Sequence, residues 1–172
     1  MISRLAYRSR QFWNNLIASR IPSETLLPHL TATQLSLFQR MQPSEQAHAY
    51  QIFKHLETDG QTDPDLLAAA LLHDVGKILH PLSIIDRVMI VLGKRFFPGA
   101  AQRWASGPPR GLHRPFVVAA QHAGWGAELA SQAGASARTV ELVRHHHDVR
   151  QTNPDSPTKS LLAALQAADD ES

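Results

Sequence analysis

Ten histidines and no cysteine define the chemistry open to this chain of 172 residues. Imidazole is the commonest side-chain ligand for transition metals in proteins, and carboxylates complete many such sites. The absence of cysteine excludes disulfides, thiolate nucleophiles, iron–sulfur clusters and cysteine-type zinc fingers. The spacing of the histidines and of nearby aspartates therefore decides which chemistry is possible.

The dipeptide His73-Asp74 follows directly on the apolar residues Leu71 and Leu72. An ionisable pair at the end of a buried helix is costly without a partner. A divalent metal would supply that partner, because imidazole and carboxylate both bind such ions and a carboxylate can bridge two of them. A buried pair held only by hydrogen bonds is the alternative interpretation of the dipeptide taken alone.

Further histidines and aspartates fall on apolar faces of predicted helices, where residues i, i+4 and i+7 lie together. His146 follows Leu142 by four residues and is therefore predicted to point inward, whereas His145 follows Glu141 by four and falls on the polar side. The same test predicts four more inward positions: His48, His122, His147 and Asp169. Inward His and Asp residues on several separate helices favour a metal site.

Helical patterning supplies the elements that must position these side chains. We predict helices over 33–41, 44–58, 64–76, 82–97, 115–122, 127–133, 137–148 and 158–169, with loops over 107–111 and 153–157. Ser44 is the predicted N-cap of the second helix, and Gly76 and Pro98-Gly99 are predicted to end the third and fourth. The third helix is apolar nearly all round and should be central and buried. Strand-like alternation is absent, so the sequence predicts one compact all-α bundle.

Charge and hydropathy limit the kinds of partner and location that we predict for the chain. The net charge of +2 does not indicate a nucleic-acid-binding surface, and we predict no specific nucleic-acid partner. The longest apolar runs, such as 66–72, are far shorter than the about 18 residues of a membrane span, so no transmembrane segment is predicted. Residues 1–20 contain four arginines, no acid and no continuous apolar core, which predicts a helix packed on the domain and a cytoplasmic protein. A membrane-surface helix is the alternative for this segment.

A basic stretch lies between Asp86 and Glu128, with six lysines and arginines and no acid. It is either a solvated basic face or a surface that attracts an anionic substrate. Arginine suits bidentate phosphate recognition. The candidate phosphate contacts in this stretch are Arg87, Lys94, Arg110 and Arg114.

The order His48, His73-Asp74 and Asp169 resembles the HD superfamily of metal-dependent phosphohydrolases, which are all-helical. The fuller strings are H-D-V-G-K (73–77), H-x-x-x-G-A-x-L (122–129), V-R-H-H-H-D (143–148) and L-Q-A-A-D (165–169). They are similar to the binuclear branch that contains the HD-GYP cyclic-dinucleotide phosphodiesterases and HD-type diadenosine tetraphosphate hydrolases. The D-G-x-G-Y-P run of the HD-GYP enzymes is missing, so cyclic-di-GMP is not the expected substrate.

The extent of the resemblance predicts the organisation of the chain. It covers residues 45–172, which we predict to form the HD domain with a basic insertion at about 87–121. Residues 1–44 are predicted to form an N-terminal helical extension packed on that domain. The sequence indicates no particular oligomeric state.

The resemblance also implies two metals that share Asp74. One would be held by His48, His73, Asp74 and Asp169, and the other by Asp74, His122, His146 and His147. This ligand set suits one or two divalent ions of Fe, Mn, Co, Ni or Zn. Asp74 and Lys77 are the implied catalytic residues, because the shared metals would activate a water and the Lys77 ammonium would stabilise charge on a phosphate.

The expected activity is hydrolysis of a nucleotide or another small phosphoester. A non-catalytic metal- or ligand-binding regulatory module is the alternative, and a di-iron oxygenase is a minor third reading. For Lys77, the alternative is a cation that only stabilises the C-terminal end of a helix.

Overall fold

The computed structural model of the chain describes residues 21–148 and 156–172, and every regular element within these ranges is helical. The predicted all-α fold is therefore confirmed. The predicted N-terminal helix over 1–20 and most of the predicted loop over 153–157 lie outside the described residues. The α-helices are α1 (Ser23–Leu26), α2 (Ala32–Gln39), α3 (Pro43–Thr58), α4 (Pro64–Leu72), α5 (Ile84–Phe96), α6 (Pro98–Trp104), α7 (Arg114–Gln132), α8 (Ala137–His145) and α9 (Pro157–Glu171), with 3-10 helices at Val75–Leu79 and Gly111–His113.

Helix α4 is the centre of the bundle. Its N-cap Asp63 accepts hydrogen bonds from the backbone N–H groups of Asp65 (2.9 Å) and Leu66 (3.1 Å), and Pro64 occupies the first turn, where its missing N–H costs nothing. Every residue from Leu66 to Leu72 is buried. Helices α3, α8 and α9 pack around it. This confirms the expectation that the most apolar helix is central.

Helix α4 is shorter than the predicted helix over 64–76. The helix ends at Leu72, and the chain tightens into the 3-10 helix Val75–Leu79 instead of continuing to Gly76. A Cβ on Gly76 would lie 2.0 Å from the carbonyl oxygen of His122 and 2.6 Å from the backbone nitrogen of Gly126. Gly76 therefore permits close contact with α7, which is a different role from ending a helix.

Helix α7 is one element where the sequence predicted two. It runs without a break from Arg114 to Gln132, through Gly124 and Gly126. Gly126 lies against the Gly76 backbone, where a Cβ would come within 3.1 Å of the Gly76 nitrogen. Gly126 is thus a packing residue in the middle of a helix.

Two other boundaries differ from the prediction. Gln42, not Ser44, is the N-cap residue of α3, and its N–H donates to Oε2 of Glu45 (3.4 Å). Helix α5 ends at Phe96, close to the predicted stop, but Pro98 begins a new helix, α6, because proline is tolerated in a first helical turn.

The residues before α3 belong to the same core as the rest. Leu26, Leu30, Phe38 and Met41 are all buried in it, and α2 packs against α4. The division of the chain near residue 44 stays a prediction. Within the described residues, no helix is long and apolar enough to cross a bilayer.

Candidate metal centre

The structure brings the seven predicted metal ligands together in two groups. The first, called here the Asp74 group, contains Asp74, His122, His146 and His147. The second, the His48 group, contains His48, His73 and Asp169. Within each group one ligand atom per residue lies within 4.8 Å of the others. The two groups draw on α3, the end of α4, α7, the end of α8, and α9.

Three buried imidazoles have one fixed ring nitrogen each. The Nδ1 atoms of His73, His122 and His146 donate to the backbone carbonyls of Ala70 (2.9 Å), Val118 (2.9 Å) and Val143 (2.7 Å). A carbonyl only accepts, so in the neutral imidazole Nδ1 carries the proton and Nε2 carries a lone pair. None of the three Nε2 atoms has a hydrogen-bond partner among the described residues. Such backbone anchoring is how proteins orient histidines toward a metal.

The lone pairs face the carboxylate of Asp74, which is itself buried. Oδ1 of Asp74 lies 3.2 Å from Nε2 of His122 and 4.0 Å from Nε2 of His146. Oδ2 lies 3.5 Å from Nε2 of His73. A cation between them stabilises buried acceptors that face each other. The two oxygens of Asp74 therefore point toward different groups, and the donor set fits divalent transition metals.

The electrostatics favour an ionised Asp74 and a neutral His146. Burial opposes a charge on His73, but the nearby carboxylates of Asp74 and Asp169 together leave its pKa raised. Burial opposes ionisation of Asp74, but the Lys77 ammonium, with Nζ 2.5 Å from Oδ2, and the nearby His73 hold the pKa of Asp74 well below its usual range. Burial and the neighbouring imidazoles lower the pKa of His146. A carboxylate and a neutral imidazole are the forms that bind metal ions.

The His48 group is more open to solvent than the Asp74 carboxylate. The side chains of His48 and Asp169 are 28% and 20% exposed, and His48 Nε2 lies 3.0 Å from Oδ1 of Asp169. Burial raises the pKa of Asp169, but the hydrogen bond with His48 and the charges of His73 and His48 together leave that pKa lowered. The hydroxyl of Ser172 lies 3.3 Å from Nδ1 of His48. Ser172 follows Asp169 by one helical turn, and the sequence did not single it out.

The histidine triplet divides between surface and interior. His145 is partly exposed and its Nδ1 lies 2.7 Å from Oδ2 of Asp148, whereas His146 is buried. His147 is exposed, although the spacing predicted it to be inward, because α8 ends at His145 and the i+4 pattern no longer applies. Its ring still lies 4.8 Å from that of His122, so His147 approaches the Asp74 group from the solvent side.

Gln166 is a positioning residue that the sequence did not reveal. It is buried on α9, and its Nε2 donates to the carbonyls of Asp148 (2.9 Å), His146 (3.2 Å) and His145 (3.4 Å). These bonds help to satisfy backbone oxygens at the end of α8, where the carbonyl of His145 also accepts from the N–H of Asp148 (2.9 Å). Gln166 thus ties the turn that carries His146 and His147 to the helix that carries Asp169. Its only sequence signal is its place in the string 165–169.

The four candidate phosphate contacts of the basic stretch belong to neither donor group. Arg87 pairs with the buried carboxylate of Glu45 (3.1 Å), and Arg114 pairs with Asp86 (3.2 Å). Lys94 and Arg110 are exposed. A role in phosphate binding stays a prediction for all four.

The contrast between His145 and His146 gives a test of the Asp74 group. We expect His146→Ala to lower metal affinity by about 100-fold or more, because it removes an oriented, neutral ligand. His145→Ala removes a partly exposed imidazole and should leave metal affinity within about twofold, since it breaks only a pairing with Asp148 of the small size usual at surfaces. Isothermal titration of the metal-free protein with Mn²⁺ or Ni²⁺ measures both. Equal losses would mean that the ligand has been misassigned by one residue.

A family model described as HD domain matches residues 46–172, a range that contains every member of the Asp74 and His48 groups. No curated protein and no solved structure matches the chain significantly.

Proposed function

The chain belongs to the HD domain family of metal-dependent phosphohydrolases, and on that premise we propose that it hydrolyses a nucleotide or another small phosphoester with one or two divalent transition metals. One observation carries the proposal: three buried Nε2 lone pairs without hydrogen-bond partners face the carboxylate of Asp74. A hydrogen-bonded core pair, the alternative for His73-Asp74, would not leave these nitrogens without partners.

We assign the ligands from this geometry. The His48 group and Asp74 Oδ2 would hold one metal, and the other members of the Asp74 group with Asp74 Oδ1 would hold the second. The metals are Fe, Mn, Co, Ni or Zn, which accept mixed nitrogen and oxygen ligands. When bound, such an ion lowers the pKa of a coordinated water and polarises phosphoryl oxygens.

The protein's own side chains would orient the metal ligands and stabilise charge on the substrate. The backbone carbonyls that bind Nδ1 hold the imidazoles in one tautomer, so no reorientation is needed when substrate arrives. Lys77 Nζ lies beside the shared carboxylate and is 18% exposed, so its ammonium can meet a phosphate oxygen at the edge of the site. A fixed positive charge there stabilises the charge that develops on the phosphoryl group.

The substrate class follows from charge and from a missing motif. The acid-free basic stretch between Asp86 and Glu128 favours an anionic substrate, and binding should weaken at high salt if exposed cations contribute. The residues after Asp148 lack the D-G-x-G-Y-P run, so cyclic-di-GMP is not proposed.

Metal analysis followed by a substrate panel tests the proposal. We expect between one and two transition-metal ions per chain after expression in metal-replete medium, and hydrolysis of at least one nucleotide or phosphoester. Metal content near zero, with no uptake of Mn²⁺, Fe²⁺ or Ni²⁺, would contradict the metal assignment. Stoichiometric metal with no hydrolysis of any phosphomonoester or phosphodiester would favour the regulatory module instead.

Lys77 can be separated from the ligands by experiment. We expect Lys77→Ala to lower kcat by about 100-fold, because it removes a charge near the phosphoryl group, while metal content stays nearly unchanged. Lys54→Ala is the matched control, since Lys54 is exposed on α3 and pairs with the nearby Glu57 (2.7 Å). Kinetics and elemental analysis of both variants decide the point. Loss of metal in Lys77→Ala to the same degree as in a ligand variant would show that Lys77 acts by supporting Asp74.

A further inference from the structure

Helix α5 turns its apolar side outward. Gly93 is the only buried residue of α5, and a Cβ there would lie 2.5 Å from the ring of Phe116 on α7, so α5 docks through its smallest residue. The opposite side carries large apolar side chains that are between 49% and 72% exposed: Ile84, Ile85, Val88, Val91, Leu92 and Phe96. These six residues are called the α5 face below. An exposed, contiguous apolar surface of this kind marks an interaction site.

Cations accompany the α5 face. Lys94 and Arg95 are exposed on the same helix, and Arg103 and Arg110 are exposed on the segments that follow it. The one carboxylate of α5, Asp86, is engaged by Arg114. A partner of this surface must therefore combine negative charge with an apolar phase.

We propose that the α5 face binds the surface of a lipid bilayer that contains anionic headgroups. Arg95 follows Val91 by four residues and Leu92 by three, so it rises from within the apolar face. A long arginine side chain there can reach the headgroups while the surrounding apolar groups enter the acyl boundary. Lys94 and Arg95 add attraction to anionic lipid.

Charge distinguishes this partner from two others. A second copy of the chain would bring one cationic face against another, with Arg95 in the middle of the contact. Residues 1–20 contain four arginines and no acid, so they carry no charge opposite to that of Lys94 and Arg95. An anionic bilayer attracts the cations through its headgroups and buries the apolar side chains at its acyl boundary.

Vesicle co-sedimentation of the full chain tests the proposal. We expect binding to vesicles of phosphatidylcholine mixed with phosphatidylserine, and at least about tenfold weaker binding to phosphatidylcholine alone. The double variant Ile85→Ser/Val91→Ser should bind the mixed vesicles about tenfold more weakly than the unsubstituted chain, because two exposed apolar groups are lost. Leu27→Ser is the matched control, since Leu27 is 55% exposed outside α5, and it should leave binding unchanged. Thermal unfolding checks that each variant folds.

Three results would overturn the inference. The first is failure of the full chain to sediment with anionic vesicles. The second is undiminished binding by a folded Ile85→Ser/Val91→Ser variant, which would move the membrane contact elsewhere in the chain. The third is self-association without lipid that the double variant abolishes, which would assign the α5 face to a second copy.

Discussion

Asp74→Ala is expected to abolish hydrolysis, with kcat/KM reduced at least about a thousandfold, and to remove metal from both donor groups. The reason is its placement: Oδ1 faces His122 and His146, and Oδ2 faces His73 and Lys77. Without the carboxylate, the Asp74 group has no anion and the His48 group keeps only Asp169 to offset the charge of a divalent ion. Kinetics and elemental analysis on the same preparation measure the two losses together.

Asp74→Asn separates this loss of charge from misfolding. Asparagine keeps the volume of the side chain, so the variant should stay folded while metal content and turnover fall as they do in the alanine variant. Asp59→Ala, which removes an exposed carboxylate at the end of α3, should leave both unchanged. An Asp74→Asn protein with full metal content would show that Asp74 is not the shared ligand.

Gly76→Ala is expected to destabilise the fold by about 3 kcal/mol and to lower metal affinity at the same time. Its Cβ would lie 2.0 Å from the carbonyl oxygen of His122 and 2.6 Å from the nitrogen of Gly126. Both atoms belong to backbone, so no side chain can rotate away and α7 itself must move. Movement of α7 carries His122 away from Asp74. Chemical denaturation of the metal-free protein gives the first effect, and metal titration gives the second.

The control for this substitution lies within α7. A Cβ on Gly124 would meet nothing within 4 Å, so Gly124→Ala should stabilise the protein by about 0.5–1 kcal/mol through the better helix propensity of alanine. A loss of unfolding free energy in Gly76→Ala and a gain in Gly124→Ala would show that stability depends on the close approach of α7 to Gly76. It would not depend on the number of glycines. Equal denaturation midpoints for Gly76→Ala and the unsubstituted chain would contradict the packing argument.

Local periodicity predicted the all-α fold, the central helix and the inward position of His146, but not every helix boundary. The apolar run 66–72 predicts a buried helix because no side of it is polar, and the Leu142–His146 spacing predicts the inward ring because both lie on one helical face. His147 lies beyond the end of α8, so a test that assumes a continuing helix does not describe it.

Contacts between distant segments could not be predicted from periodicity. From its local sequence, Gly76 is predicted to end a helix, and only the approach of α7 shows why glycine is needed there. Gln166 reads as an ordinary polar residue, and only the folded turn after α8 shows its three carbonyl partners. Helix α5 is amphipathic in sequence, but periodicity does not say which side faces the protein, and here the apolar side faces out.

The order of the ligands along the chain determines how much chain each donor group closes. The Asp74 group lies between residues 74 and 147, whereas the His48 group joins His48 and Asp169, which are 121 residues apart. Because the entropy lost on closing a loop grows with its length, the His48 group costs more conformational entropy to assemble. Loss of α9 would open the His48 group at Asp169 and leave all four members of the Asp74 group in the chain.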